Sequence, residues 1–177
     1  MCFFLEIFPL DQFAVIRETY HMDVIPGIGE LDPKELARKI ALVLPFTDWI
    51  QLDIADDTLV ASRTFTDIVT LGNILKPLQT LGKHAEAHLL VADPVELVKL
   101  VSQAGFSRVI AQVECNDPRE FLAEARSFEM EVGLGLFGVV PSQDFQVLPI
   151  ARRAAVGGHN SETRVVIGPC LSASDFN

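Results

Sequence analysis

The sequence is short of several residue types, and each shortage excludes a class of protein. It has three cysteines, Cys2, Cys115 and Cys170, which lie far apart and lack the spacing of a metal site. So sparse and odd a number argues against a disulfide-bonded secreted scaffold and favours a reducing cytoplasm. No apolar run reaches the ~20 residues that a membrane-spanning helix needs. The apolar start, residues 1–10, lacks the basic residues and cleavage site of a signal peptide. We therefore expect a cytoplasmic protein.

Positive charge is also scarce. The chain has 14 lysines and arginines against 24 aspartates and glutamates, which gives a formal net charge of -10 at pH 7. Nucleic acids and anionic membranes attract positive surfaces, so neither is an expected partner. Any phosphate site must then be local, built from backbone amides and helix N-termini.

Apolar residues are abundant and make up 49% of the 177 residues. That is enough for one domain with a substantial core, and it favours a buried parallel sheet. Short apolar strand patterns alternate with amphipathic helix patterns at intervals of roughly 25–35 residues, which is typical of right-handed βαβ units. Strands are predicted at residues 22–28, 49–54, 84–92, 107–114 and 130–137, with a sixth at residues 164–167.

The number of these units limits the architecture. A closed barrel of eight βα units usually takes about 200 residues or more, and only about five or six units fit in this chain. We therefore predict an α/β fold of the parallel (β/α) TIM-barrel type, formed as a partial barrel or as an open sheet derived from one. Residues 1–20 are predicted to be an N-terminal extension that packs on the body, and residues 21–177 to be the barrel domain. Unpaired edge strands favour self-association, so a homo-oligomer is expected.

Aspartate-proline pairs predict helix starts, with the aspartate as N-cap and the proline in the first turn. The pairs begin at Asp32, Asp93 and Asp117. The last two pairs are followed by a glutamate that completes a capping box. A further helix, around residues 68–78, is predicted to be interrupted at Gly72 and Pro77.

The stretch at residues 48–65, DWIQLDIADDTLVASRTF, contains the main functional candidate. It begins as a strand and breaks into an acidic turn at Asp56 and Asp57. Asp53 lies near the end of the mostly apolar strand, where a carboxylate is costly to hold without a partner. The C-terminal ends of parallel barrel strands are also where chemistry occurs. The alternatives are that Asp53 caps a loop or pairs with a lysine, and that the acidic turn is merely solvated.

This stretch resembles the second strand and following loop of the ribulose-phosphate 3-epimerases, which read roughly DWIHxDVMDGxFVPNxTF. A second block, residues 86–114, reads EAHLLVADPVELVKLVSQAGFSRVIAQVE. It resembles the family pattern DVHLMxxNPxxxIxxFxxAGAxxIxxHxE. The two blocks occur in the family's order and spacing, and the resemblance covers roughly residues 22–148. It implies a ribulose-phosphate-binding barrel, a small sugar phosphate as substrate, and epimerisation at carbon 3 of a pentose phosphate by two carboxylates and a divalent metal cation.

The resemblance also implies roles for individual residues. Asp53 would be both metal ligand and acid/base, and His88 would be a metal ligand. Gln51 stands where the family has its other metal-binding histidine, and glutamine is a poor ligand for a zinc- or iron-type ion. Gly27, Gln51 and Gly168 are the expected substrate contacts, Gly168 as the candidate for a phosphate-binding glycine loop. No carboxylate in the last strand pattern matches the family's second aspartate.

Three functions are therefore open. The first is a sugar-phosphate epimerase in which Asp53 is the base and His88 a ligand or electrophile. The second is a non-catalytic scaffold or small-ligand-binding relative without a metal, which Gln51 and the missing second aspartate favour; His88 is then a hydrogen-bonded core histidine. The third is an orotidine-monophosphate-decarboxylase-like enzyme, which requires a DxKxxD pattern, and the lysine is absent after Asp53. His84 and His159 are expected at the surface.

Overall fold

The structure, a computed structural model, describes residues 25–136 and the backbone of residues 164–165. In these residues strands and α-helices alternate along the chain. The strands are β1 (Gly27–Ile28), β2 (Trp49–Ala55), β3 (His84–Leu90), β4 (Arg108–Gln112), β5 (Glu131–Gly135) and β6 (Arg164–Val165). The helices are α1 (Pro33–Val43), which runs on into a 3-10 turn (Leu44–Phe46), α2 (Ile68–Thr80), α3 (Val95–Gln103) and α4 (Pro118–Ser127).

The strands form one parallel sheet in chain order, from β1 to β6. A strand order without reversal, joined by right-handed crossovers, places the helices on the same face of the sheet, as in a (β/α) barrel. Within the described residues β1 and β6 each pair with a single strand, so this part of the sheet is open at both edges. The parallel α/β architecture predicted from the sequence is confirmed.

The face of the sheet towards the helices is apolar. Side chains alternate along a strand, and Ile50, Leu52 and Ile54 of β2 point to this face with at most 1% of their surface exposed. They belong to one core with buried helix residues such as Leu36 of α1 and Phe121 of α4. Burial of this apolar surface, at about 25 cal/mol per Å², is the main stabilising contribution to the fold.

The opposite face of the sheet carries polar and charged side chains, and we call it the polar face. One row of the register crosses β2 to β5 through Gln51, Glu86, Arg108 and Glu131. The next row, nearer the C-terminal ends of the strands, pairs Asp53 with His88. In a closed barrel this face is the interior.

Two of the predicted aspartate caps are confirmed. Asp32 Oδ1 accepts a hydrogen bond from the backbone N–H of Lys34 at 3.0 Å, and α1 begins at the next residue. Asp117 Oδ1 accepts from the backbone N–H of Glu120 at 2.9 Å and caps α4 in the same way. These carboxylates satisfy backbone donors that have no partner inside the helix.

The predicted capping box at Asp93 is wrong. α3 has Pro94 as its N-cap, with backbone angles already in the helical region and no side-chain cap. The Asp93 carboxylate instead accepts a hydrogen bond from Asn116 Nδ2 at 2.6 Å. The Asp93 carboxylate therefore binds a residue of the loop after β4 in place of the first backbone N–H groups of α3.

The predicted interruption of α2 is also wrong, because the helix is continuous through both Gly72 and Pro77. Gly72 packs against Ala104, whose Cα would lie 3.1 Å from a Cβ at residue 72, so the glycine permits a close approach of the two helices. Pro77 lies on the exposed side of α2, where the loss of one backbone hydrogen bond is least costly. Asp67 caps this helix.

The strands are shorter than predicted at their C-terminal ends. β3 ends at Leu90, β4 at Gln112 and β5 at Gly135. No helix in the described part of the chain is both long enough and apolar enough to cross a lipid bilayer. The predicted extension at residues 1–20, together with His159 and Gly168, lies outside the described residues.

Candidate functional site

Four polar side chains meet on the polar face near the C-terminal ends of β2, β3 and β4. We call Gln51, Asp53, His88 and Gln112 the site cluster. Gln51 and Asp53 are two residues apart on β2 and therefore point to the same face, and the register sets His88 beside Asp53. Gln112 is the last residue of β4. The cluster thus lies at the edge where parallel barrels carry their chemistry.

Two members of the site cluster, Gln51 and His88, hold Asp53. Its side chain is 7% exposed. Oδ1 accepts a hydrogen bond from Gln51 Nε2 at 2.8 Å and lies 3.0 Å from His88 Nδ1. Both neighbours stabilise negative charge on this oxygen, which offsets the cost of burying a carboxylate. The residues that the resemblance singled out in β2 and β3 are therefore brought together.

His88 is hydrogen-bonded at both ring nitrogens. A carboxylate oxygen only accepts hydrogen bonds, so the contact with Asp53 places a proton on Nδ1. Nε2 lies 2.7 Å from Gln112 Nε2, an amide N–H donor, and so supplies the lone pair. In a neutral imidazole these two contacts correspond to a proton on Nδ1 and a lone pair on Nε2. Gln51 Nε2 also lies 3.3 Å from Nδ1.

Gln112 and Gly135 are members of the site that the sequence analysis missed. Gln112 is 2% exposed, and the register sets it beside Gly135 of β5. A Cβ at residue 135 would lie 2.8 Å from Gln112 Oε1 and 2.9 Å from Nε2, so only glycine leaves room for this amide. The available signal was the period-two pattern of β4, in which Gln112 falls on the same face as Arg108.

Thr64 fixes the end of β2. Its hydroxyl donates a hydrogen bond to the backbone oxygen of Asp53 at 2.7 Å and accepts one from the backbone N–H of Ala55 at 3.0 Å. The loop after β2 is thereby folded back onto the strand that carries the carboxylate. This contact holds the backbone of Asp53 in place.

A second polar group, formed by Glu86, Arg108 and Glu131, lies one row nearer the N-terminal ends of the strands, and we call it the ion network. Arg108 Nη1 is 2.6 Å from Glu86 Oε2, and Arg108 Nη2 is 2.7 Å from Glu131 Oε2. The Arg108 guanidinium also lies 4.1 Å from the centre of the Trp49 ring, a cation–π geometry. No pattern in the sequence singles out these three residues.

Burial and pairing act in opposite directions within the ion network. Burial raises the pKa of Glu86, although the hydrogen bond from Arg108 opposes this effect. Burial alone would lower the pKa of Arg108, but its hydrogen bonds to Glu131 and Glu86 outweigh this and raise it. The guanidinium is therefore charged, and the network holds a buried positive charge between two carboxyl groups.

The residues of the described part of the chain do not form a metal site. Within residues 25–136, no group of three or more histidine, cysteine, aspartate and glutamate side chains is placed to hold a metal ion. Asp53 and His88 hydrogen-bond to each other, and the second ring nitrogen of His88 faces Gln112. Two ligands rarely hold a catalytic metal firmly. Their roles as metal ligands stay a prediction.

Other predicted residues have more local surroundings. Gly27 is buried in β1 and is paired in register with Gln51, so it lies beside the site cluster. Asp57 is exposed, with a positive φ of 75° in the turn after β2. Asp56 accepts hydrogen bonds from Thr58 within the same turn. His84 is exposed, as expected, and stacks on Trp49.

No protein-family model matches the chain, and a search of the curated proteins finds no match. Solved structures do match. A 3-keto-L-gulonate-6-phosphate decarboxylase from Vibrio cholerae O1 biovar El Tor str. N16961 is similar with a TM-score of 0.54 and 13% identity, over 90% of this chain and 69% of that one.

Two structures of phosphonopyruvate hydrolase are also similar to this chain. One has a TM-score of 0.56 and 17% identity, over 93% of this chain and 61% of that one. The other, a complex with oxalate and Mg++, has a TM-score of 0.55 and 16% identity, over 90% of this chain and 58% of that one. The chain therefore spans less than two thirds of the length of either hydrolase structure.

At these identities the similarity shows the fold and not the activity. It confirms the prediction of a partial barrel of the parallel (β/α) TIM-barrel type. The similar structures are those of a decarboxylase and a hydrolase. Membership of the epimerase family stays a prediction.

Proposed function

We propose that this protein binds a small sugar phosphate at the site cluster and that Asp53 removes a proton from carbon 3 of the bound pentose phosphate, as in a ribulose-phosphate 3-epimerase. The observation that carries this proposal is the buried Asp53 carboxylate, held by Gln51 and His88 near the C-terminal end of β2. A fixed, buried carboxylate at this edge of a parallel sheet is suited to general base catalysis.

The proposed step moves one proton. The C3–H bond breaks, the proton goes to the Asp53 carboxylate, and the electron pair moves into an enediolate whose negative charge lies on the former carbonyl oxygen. The Gln51 amide has two N–H donors, and its nitrogen lies 2.8 Å from Asp53 Oδ1 and 3.3 Å from His88 Nδ1. We assign the N–H that does not bind Asp53 to the enediolate oxygen of the bound ligand, because a donor held in a buried site stabilises that charge.

A divalent metal cation would supply further stabilisation of the enediolate charge. The phosphonopyruvate hydrolase structure with oxalate contains Mg++. In the present chain, Asp53 and His88 would be the ligands, but they hydrogen-bond to each other and His88 Nε2 faces Gln112, so no step of the proposal depends on a metal. Proton exchange is therefore to be measured both with added divalent metal and with a chelator.

A second candidate is a non-catalytic relative that binds a small polar ligand. The observation that favours it is the amide pair of Gln51 and Gln112, which flanks Asp53 and His88 with neutral hydrogen-bonding groups. Such a site recognises hydroxyl groups without reacting with them. Binding of a pentose phosphate without proton exchange supports this candidate.

The test of the proposed chemistry is proton exchange at carbon 3 of ribulose 5-phosphate in heavy water, followed by NMR. We expect exchange with the wild-type protein and a fall of at least about a hundredfold in Asp53→Asn, because a positioned general base contributes that much or more. Asp57→Asn is the matched control, since Asp57 is an exposed loop aspartate. Equal exchange in the two variants would show that Asp53 is not the base.

We also propose that the protein self-associates through its sheet edges. The support is the described sheet, in which β1 and β6 each have one neighbour. Unpaired strand edges are templates for pairing with another chain. Light scattering should then give a mass of two or more chains, and a mass equal to one chain contradicts the proposal.

A further inference from the structure

We propose that Gln112 recognises a hydroxyl group of a bound polyol phosphate through its side-chain oxygen Oε1, and so determines the specificity of the site cluster. The identity of the ligand rests on the proposed function. The role of the residue rests on the hydrogen-bond geometry around His88.

The orientation of the Gln112 amide is fixed by its neighbours. His88 Nδ1 faces the Asp53 carboxylate and donates to it, and in the neutral imidazole His88 Nε2 then carries the lone pair. The group that faces this lone pair at 2.7 Å is Gln112 Nε2, which donates to it. A rotation of the amide would set Oε1 against the lone pair, and two acceptors repel each other. Oε1 is therefore directed away from His88.

This orientation leaves an acceptor without a partner. Gln112 is 2% exposed, and within residues 25–136 its Oε1 is the buried side-chain atom that forms no hydrogen bond. Buried polar groups in folded proteins are nearly always hydrogen-bonded, so an exception at a candidate site indicates a group that a ligand completes.

The chemistry of Oε1 selects the part of the ligand that it contacts. An amide oxygen accepts hydrogen bonds and cannot donate them, so the ligand must present a donor. The phosphate oxygens of a sugar phosphate are mainly acceptors at neutral pH, whereas each hydroxyl group has an O–H donor. Gln112 is therefore suited to a hydroxyl of the sugar chain and not to the phosphate.

The test compares ribulose 5-phosphate with its analogues that lack the hydroxyl at carbon 1 or at carbon 4, by calorimetric titration of the full-length protein. Wild-type protein should bind one of the analogues about tenfold more weakly than ribulose 5-phosphate, as expected for the loss of one hydrogen bond. Gln112→Met keeps the length of the side chain but has no amide oxygen. This variant should bind ribulose 5-phosphate and that analogue equally. Gln103→Met, at an exposed glutamine that ends α3, is the control and should keep the preference.

A second variant displaces Gln112 without removing it. Gly135→Ala places a Cβ within 3.0 Å of both ends of the Gln112 amide. The amide is the tip of a flexible side chain, so it should move while the fold is retained, as circular dichroism and the Tm will show. The hydroxyl preference should fall as in Gln112→Met. A preference that persists in either folded variant, or a wild-type protein without preference, overturns the proposal.

Binding and exchange separate this inference from the proposed chemistry. A hydroxyl preference that depends on Gln112, in a protein that exchanges no proton at carbon 3, removes the epimerase proposal and leaves the hydroxyl contact intact. Proton exchange at carbon 3, with binding that does not depend on Gln112, supports the epimerase proposal and overturns the hydroxyl contact. Absence of ribulose 5-phosphate binding overturns both.

Discussion

The site cluster and the ion network lie next to each other on one face of the same sheet, yet they are built differently. In the ion network the charges of Glu86, Arg108 and Glu131 are paired directly with one another. In the site cluster an amide and an imidazole hold the Asp53 carboxylate. The ion network neutralises its charges against one another, whereas the site cluster holds its carboxylate through hydrogen bonds.

The position of the two groups along the strands gives this difference a meaning. The N-terminal ends of barrel strands generally serve stability, and the C-terminal ends serve function. Gln51 belongs to the register row of the ion network, but its side chain donates to Asp53 in the row above. A residue level with the ion network thus supports the Asp53 carboxylate. Substitutions in the ion network should mainly affect stability, and substitutions in the site cluster should mainly affect proton exchange.

The largest expected effect on stability is that of Arg108→Met. Removing the guanidinium leaves the buried Glu86 carboxyl without its partner, and breaking a buried pair in this way costs about 3–5 kcal/mol. The loss is to be measured by urea unfolding, with Arg119→Met on the exposed side of α4 as the control. A loss as small as that of the control would mean that the ion network does not stabilise the fold.

A smaller effect concerns the pH dependence of stability. Burial raises the pKa of Glu86, so this carboxyl binds its proton more tightly in the folded than in the unfolded state. Its contribution to stability is then present below the ordinary glutamate pKa and is lost as the pH rises through the raised pKa. Each tenfold difference in proton affinity between the two states corresponds to about 1.4 kcal/mol. The difference in unfolding free energy between wild type and Glu86→Gln should therefore fall as the pH rises through this window. A difference that increases with pH contradicts the assignment.

The smallest effect on stability is expected in the site cluster. Asp53→Asn keeps an oxygen that accepts from Gln51 and His88, so we expect the unfolding free energy to change by no more than about 1 kcal/mol while proton exchange is lost. Urea unfolding of the same preparation used for the exchange measurement checks this. A loss as large as that of Arg108→Met would place Asp53 among the stabilising residues and remove the contrast between the two rows.

The helix-facing side of the fold could be predicted from the sequence because it depends on local patterns. Alternating residues such as Ile50, Leu52 and Ile54 gave the buried face of β2. The two aspartate-proline capping signals before α3 and α4 show the limit of such patterns. Asp117 caps its helix, but Asp93 binds Asn116 from a loop that is distant in sequence.

The polar face was predicted only in part. Asp53, His88 and Gln51 were identified through the resemblance, and the structure brings them together. Gln112 and Arg108 were missed because their roles depend on which strands are neighbours and in which register, and a single sequence does not reveal either. A buried charge has no local signal when its partner lies on another strand.

The most direct test of the account uses one histidine from each end of the polar face. His88 belongs to the site cluster, and His84 lies near the N-terminal end of β3 against Trp49. Ribulose 5-phosphate is added to protein with 15N-labelled histidine, and the ring resonances are assigned with His88→Asn and His84→Asn. The account predicts that the His88 resonances shift with increasing ligand and that those of His84 do not. Unchanged His88 resonances at saturating ribulose 5-phosphate would contradict it.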